Sequence, residues 1–150
     1  MIYIYILLDN KKLKFLKGHI SSVRTIGYFI NNKNNKEYLI SADCRKEVIV
    51  WDITNNYNIK YNIKTNYFDD ISSCLLFFHP NSNDDYIITS SNSTNKENNH
   101  SATKIYSLNN GEYIKHIQNS NKYYICYLLS WYNKRNNKYY LIELAYKNAQ

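Results

Sequence analysis

The stretch from Gly18 to Asp52, GHISSVRTIGYFINNKNNKEYLISADCRKEVIVWD, decides the fold of this chain. It opens with Gly18-His19 and closes with Trp51-Asp52, and short apolar runs lie between the two dipeptides. Runs that are rich in β-branched and aromatic residues and bounded by turn-forming residues are typical of β-strands. We therefore expect strands at 22–30, 38–42 and 48–51, separated by turns at 31–36 and 43–46.

The same order of strands recurs on both sides of this stretch. Tyr86-Ile87-Ile88-Thr89 corresponds to Tyr38-Leu39-Ile40-Ser41, and 104–108 corresponds to 49–53. A fixed order that repeats along the chain is the signature of a repeat architecture. The other predicted strands are short apolar or alternating runs at 2–7, 12–16, 59–63, 74–78, 113–117, 124–129 and 139–145.

The copies are unequal. Asp69-Asp70 stands where a second Gly-His is expected, and Tyr106 stands where a second Trp is expected. The polar stretch 91–102 is rich in Asn, Ser and Thr, and it is predicted to be an insertion between two strands. A third copy is expected to begin at 124, and we expect it to lack the strand that carries its Trp-Asp.

These motifs resemble the WD-repeat β-propeller family, in which Gly-His opens a repeat and Trp-Asp ends its third strand. The resemblance implies an all-β chain built as a WD-repeat-like β-propeller segment, with four-stranded antiparallel blades and an incomplete ring. It divides residues 1–150 into the end of one blade (1–17), a well-formed blade (18–68), a degenerate blade with the polar insertion 91–102 (69–118) and the start of a further blade (119–150). Ring closure is then expected to need further chain or oligomerisation.

The resemblance also implies a buried hydrogen-bond chain of His19, Ser41 and Trp51, since buried indole and imidazole groups need partners. The family anchors this chain with an Asp six residues before the Trp, and Arg45 occupies that position. Either the chain of bonds ends at His19, or Asp43 substitutes for the missing anchor.

Catalysis is not expected. Three Gly residues leave no Gly-rich phosphate loop, and no G-x-S-x-G or Cys/His pairing indicates a nucleophile. The four His residues lack zinc-type spacing. The sequence therefore predicts no enzyme activity, no cofactor and no metal site.

Charge and cysteine content suggest the cellular setting. The net charge is +7, but the Lys residues are scattered singly or in pairs, which is typical of a solvated surface. Three Cys without C-x-x-C spacing argue against a disulfide framework and for an intracellular protein, cytoplasmic or nuclear. No stretch reaches the ~20 apolar residues of a membrane span.

The leading functional prediction is a non-catalytic protein-interaction scaffold. The resemblance places partner contacts in the loops at one end of the blades, at Ile20, Ser21, Arg24 and Arg45. A second hypothesis is RNA binding through the positive charge and exposed Tyr stacking. A third is a truncated product without independent function, because open edge strands invite pairing or aggregation.

Overall fold

The chain is all-β in a computed structural model, which describes residues 1–6, 11–65, 70–79, 84–92, 102–118 and 123–147. Within these ranges it contains twelve strands and no helix. The strands are β1 (Ile2–Ile6), β2 (Lys11–Leu16), β3 (Val23–Asn31), β4 (Lys36–Asp43), β5 (Glu47–Asp52), β6 (Asn58–Lys64), β7 (Asp70–Phe77), β8 (Tyr86–Asn92), β9 (Ala102–Ser107), β10 (Tyr113–Gln118), β11 (Tyr123–Asn133) and β12 (Lys138–Lys147).

The strands form four separate antiparallel sheets. Two sheets have four strands in sequential order, β3-β4-β5-β6 and β7-β8-β9-β10, and the pairs β1-β2 and β11-β12 form two-stranded sheets. The described strands do not join into a closed ring. The all-β class, the four-stranded antiparallel sheets and the open arrangement expected from the sequence are confirmed.

Turns between neighbouring strands use the left-handed backbone of Asn in place of Gly. Asn35, Asn56 and Asn137 have φ angles of 54°, 54° and 56°. The short polar side chain of Asn tolerates this region better than most residues do. Asn therefore supplies the left-handed residue in these turns, whereas the β4–β5 turn uses Lys46 with a φ of 69° and the β9–β10 turn uses Gly111 with a φ of 75°.

The sheets stack face to face in sequence order, and the sheet β3–β6 is covered on both faces. Val48 and Val50 of β5 pack towards β7–β10, in a cluster with Ile87 and Leu76. The alternate residues Ile49 and Trp51 pack on the other face, against Ile2 and Leu16 of β1 and β2. Burial on both faces explains why β5 is a continuous apolar run instead of an alternating one.

The sheet β7–β10 is covered in the same manner by β11-β12. Leu75 and Ile88 pack against Ile125 and Leu128 of β11. The backbone N–H of Leu128 donates a 3.1 Å hydrogen bond to Ser73 Oγ, which fixes β11 to β7. The other face of β11-β12 has no covering sheet within the described residues.

Equivalent residues pair in the same register within each of the two four-stranded sheets. Trp51 pairs with Leu39 across β4 and β5, and Tyr106 pairs with Ile87 across β8 and β9. Ser41 pairs with Ile49, and Thr89 occupies the matching place opposite Lys104. Tyr106 therefore lies in the second sheet where Trp51 lies in the first.

The proposed insertion lies largely outside the described residues. Strand β8 continues to Asn92 and β9 begins at Ala102, so residues 91, 92 and 102, which were expected in the insertion, belong to strands. The remainder of the predicted insertion, 93–101, lies outside the described residues. Residues 66–69, which include the first residue of the Asp69-Asp70 pair, and residues 80–83 also lie outside the described ranges. No helix in the described part of the chain has the length and apolar character needed to cross a membrane.

Candidate functional site

A buried hydrogen-bond chain links the loop before β3 to strands β4 and β5. Trp51 Nε1 donates to Ser41 Oγ at 2.9 Å, and the same oxygen lies 2.7 Å from His19 Nε2. Ser41 and Trp51 are buried at 0% and 2% exposure, and only 1% of the His19 side chain is exposed. The three residues are joined in the order that the sequence predicts.

The other ring nitrogen of His19 faces two carboxylates. His19 Nδ1 lies 3.3 Å from Asp43 Oδ2 and 3.6 Å from Glu47 Oε2. The sequence left open whether Asp43 substitutes for the Asp that Arg45 replaces. The structure places Asp43 beside His19 and brings in Glu47, which sequence reasoning missed.

Each carboxylate is held through its second oxygen. Asp43 Oδ1 accepts the backbone N–H groups of Arg45 at 2.9 Å and of Glu47 at 3.1 Å. Glu47 Oε1 accepts Asn62 Nδ2 at 2.9 Å. The β4–β5 turn therefore holds one oxygen of Asp43, and Asn62 of β6 holds one oxygen of Glu47, which leaves the other oxygen of each acid directed at the imidazole.

Gly18 is required by the close approach of the Trp51 ring. A Cβ atom at Gly18 would lie 2.7 Å from Trp51 Cη2 and 2.9 Å from Ile49 Cδ1. Real Cβ contacts essentially never come under 3.0 Å. The Gly of the Gly-His pair is thus a packing requirement of the Trp. Asp52, at the other end of the motif, accepts the N–H of Asn55 at 3.0 Å and closes the following turn.

The four predicted contact residues lie on two connected segments. The backbone N–H of Cys44 donates to the carbonyl of Ser22 at 3.0 Å, which ties the β4–β5 turn to the loop before β3. Arg24 Nε donates to Cys44 Sγ at 2.9 Å. Ile20 is 72% exposed, Arg24 and Arg45 are exposed, and Ser21 is half-buried.

A larger apolar surface lies on the uncovered face of β11-β12, which we call the outer face. It consists of three cross-strand pairs, Tyr127 with Leu144, Leu129 with Ile142, and Trp131 with Tyr140. These six side chains are between 38% and 62% exposed. Sequence reasoning missed this surface, because 127–131 and 140–144 are nearly continuous apolar runs, which do not distinguish a covered face of a strand from an uncovered one.

Three Lys residues that are far apart in sequence meet at one cavity. Lys33, Lys36 and Lys60 line a cavity of about 550 Å³ together with Tyr38 and Asp85. Asp85 forms an ion pair with Lys33 at 2.5 Å. Burial lowers the pKa of Lys60, and repulsion from Lys36 lowers it further. The sequence showed only scattered positive charges here.

No protein-family model, curated protein or solved structure matches this chain.

Proposed function

We propose that the chain is a WD-repeat-like β-propeller segment that acts as a non-catalytic protein-interaction module. Two features support the propeller assignment. The sheets stack in sequence order with matched registers, and a His–Ser–Trp hydrogen-bond chain lies inside the first four-stranded sheet.

The outer face of β11-β12 is the observation on which the interaction function depends. Leu144, Tyr127 and Trp131 are 62%, 57% and 50% exposed, and their cross-strand partners extend the same surface. Contiguous apolar patches of this kind mark interaction sites on soluble proteins. Aromatic residues are enriched where proteins bind proteins, because they offer a large apolar area on a stiff side chain. We therefore expect a protein partner with an apolar surface of its own.

Site-specific photocrosslinking tests this assignment in cells that produce the chain. A benzophenone amino acid replaces Leu129 on the outer face, and in a matched control it replaces Ile114, an exposed apolar residue on strand β10. A third variant carries the probe at 129 together with Ile142→Lys, which places a charge on the directly paired neighbour. Adducts are identified by mass spectrometry.

We expect a discrete protein adduct with the probe at 129. This adduct should be absent with the probe at 114 and should be lost when Ile142→Lys is added. Equal labelling at both positions, or no adduct in a chain shown to be folded, overturns the interaction function of this face. A probe at Ile20 measures in the same way whether the loop end is a second contact region.

The lysine cavity favours one other candidate, an anionic RNA ligand. Lys33, Lys36 and Lys60 converge there, and the chain carries a net charge of +7. RNA binding of this kind weakens steeply as salt rises, because phosphate contacts release counterions. A filter-binding assay with single-stranded RNA tests this candidate. Retention of the RNA at low salt, its loss at high salt and weaker retention by the double variant Lys36→Gln with Lys60→Gln support it. The absence of retention at low salt removes it.

A further inference from the structure

Three buried polar atoms meet beside the hydrogen-bond chain without hydrogen-bond partners of their own. They are His19 Nδ1, Asp43 Oδ2 and Glu47 Oε2. The three side chains are 1%, 0% and 7% exposed. Their 3.3 Å and 3.6 Å contacts do not meet hydrogen-bond geometry at Nδ1, so a ring N–H satisfies neither oxygen.

Two carboxylates in one buried cluster need positive charge nearby. A buried carboxylate without a partner is costly, and two of them repel each other. A neutral imidazole supplies no charge, whereas a divalent cation balances both acids. Asn62 and the turn N–H groups that contact the two acids are neutral donors.

The spacing of the three atoms matches a metal site. The atoms all lie within 4.8 Å of one another. A tetrahedral zinc ion with bonds of about 2.0–2.1 Å requires its donor atoms to lie about 3.3–3.4 Å apart. The distance from Nδ1 to Asp43 Oδ2, 3.3 Å, meets that requirement, and the distance from Nδ1 to Glu47 Oε2, 3.6 Å, is slightly longer. One imidazole nitrogen and two carboxylate oxygens are a donor set that zinc accepts.

Hydrogen bonds to the other polar atoms of His19, Asp43 and Glu47 orient the three donor atoms, as the hydrogen-bond partners of metal ligands do in metal sites. His19 Nε2 is bound to Ser41 Oγ, which leaves Nδ1 for the ion. Asp43 Oδ1 and Glu47 Oε1 are each bound by neutral donors, which leaves one oxygen per acid. In metal sites such partners fix the ring orientation and the rotamers of the ligands.

We propose that His19, Asp43 and Glu47 bind a divalent transition-metal ion, best matched by Zn²⁺, with a water molecule in the fourth position. The ion joins the loop before β3 to the β4–β5 turn. Binding requires both acids deprotonated and Nδ1 free of its proton. The site stands independently of the outer face, and failure of the crosslinking experiment leaves it unaffected.

Zinc titration of the whole purified chain tests the site. The chain is first dialysed against a chelator, then titrated with Zn²⁺ against a chromophoric competitor near neutral pH. We expect one equivalent to bind and a rise in the melting temperature, because an ion that binds only the folded state stabilises it. Co²⁺ as a substitute is expected to give the intense visible bands of a tetrahedral site.

Glu47→Gln is the decisive variant, since its amide oxygen can still accept from Asn62. Its Kd for Zn²⁺ is expected to rise by roughly a hundredfold or more, because even outer-group changes cost 10–100-fold. Asn62→Ala is expected to fall within that 10–100-fold range. Glu112→Gln, an exposed acid that contacts Asn110, is the matched control and should bind as the parent does.

Circular dichroism and melting of each variant without metal separate lost binding from lost folding. If Glu47→Gln does not fold, Asn62→Ala and the Co²⁺ spectrum of the parent chain carry the test. Failure of the parent chain to bind Zn²⁺, or equal affinity in the parent and in the folded Glu47→Gln or Asn62→Ala variant, overturns the proposal.

Discussion

The two four-stranded sheets have the same register and different interiors. In β3–β6, a polar chain of His19, Ser41 and Trp51 lies beneath the face that packs on β1-β2. In β7–β10, Tyr106 occupies the ladder position of Trp51 and packs edge-on against Tyr113, with ring centroids 5.8 Å apart. Tyr106 belongs to the apolar cluster that fills the space between the two sheets.

The difference shows that the pairing of strands within a sheet does not depend on a buried His–Ser–Trp hydrogen-bond chain. Strand pairing and apolar packing are sufficient to place Tyr106 as Trp51 is placed. The polar chain fixes the loop before β3 and the β4–β5 turn against each other, because His19 belongs to the loop and Asp43 ends β4. At this end of the first sheet, side-chain contacts as well as a backbone hydrogen bond therefore hold the loop before β3 to the β4–β5 turn.

The largest expected effect comes from Ser41→Ala in the first sheet. It removes the acceptor of the Trp51 indole and the partner of His19 Nε2 in a buried site. Leaving buried polar groups unsatisfied costs ~1–3 kcal/mol each, so we expect a loss of about 2–4 kcal/mol in the free energy of unfolding. Urea denaturation measures it.

A serine change in the second sheet for comparison is Ser72→Ala on β7, at a half-buried residue that bonds to Ser90 at 2.9 Å. We expect it to cost ~1 kcal/mol or less. Equal costs at Ser41 and Ser72 would show that the first sheet does not depend on its polar chain.

Gly18→Ala is the next largest change. The new methyl group would overlap the Trp51 ring at 2.7 Å, and overpacking of this kind costs about 1–3 kcal/mol. Trp51→Phe removes the Cη2 atom that the methyl group meets. The double variant should therefore lose less stability than the sum of the two single changes, and simple additivity would contradict the steric explanation.

A pair of double-mutant cycles compares the two interiors directly. Ser41→Ala with Trp51→Phe breaks a hydrogen bond at 2.9 Å, and we expect a coupling free energy of about 1 kcal/mol. Thr89→Val with Tyr106→Phe, at the matching ladder positions, should give a coupling of about 0.5 kcal/mol or less. Similar coupling in both cycles would mean that the second sheet has a polar chain of its own.

Cysteine reactivity gives the smallest expected difference. Burial raises the pKa of Cys74, in the second sheet, from 9.0 to about 12, whereas Cys44 is half-buried and Cys126 is exposed. A thiol reagent near neutral pH should label Cys126 and Cys44 in the native chain and leave Cys74 unlabelled. Mass spectrometry of the labelled peptides checks this.

The same shift predicts a pH effect on stability. Because the folded chain holds the Cys74 proton more tightly than the unfolded chain, this contribution to stability is fully present below pH 9.0 and is lost as pH rises towards about 12. Cys74→Ala should flatten the stability curve in that window. An unchanged curve would contradict the burial of the thiol.

Strand positions were largely predictable from sequence, since they depend on local patterns. The runs at 38–42, 48–51 and 86–89 all lie inside observed strands. The hydrogen bonds among His19, Ser41 and Trp51 also agree with the order taken from the family resemblance. The partner-contact assignment of Ile20, Ser21, Arg24 and Arg45 stays a prediction, although the structure brings their two segments together.

Other features were not predictable, because they depend on which faces meet. Glu47 joins His19 only after the β4–β5 turn folds back under the loop before β3. Lys60 meets Lys33 and Lys36 only because strands β3, β4, β5 and β6 pair side by side, in that order, in one sheet.

By itself, the sequence determined the all-β character of this protein and the order of its strands. These depend on side-chain alternation and turn chemistry, which act over a few residues. The tertiary structure decided which residues share a site. It set the two acids at His19 and left the outer face of β11-β12 without a covering sheet in the part of the chain that the structure describes, because stacking of sheets determines which groups lose contact with water.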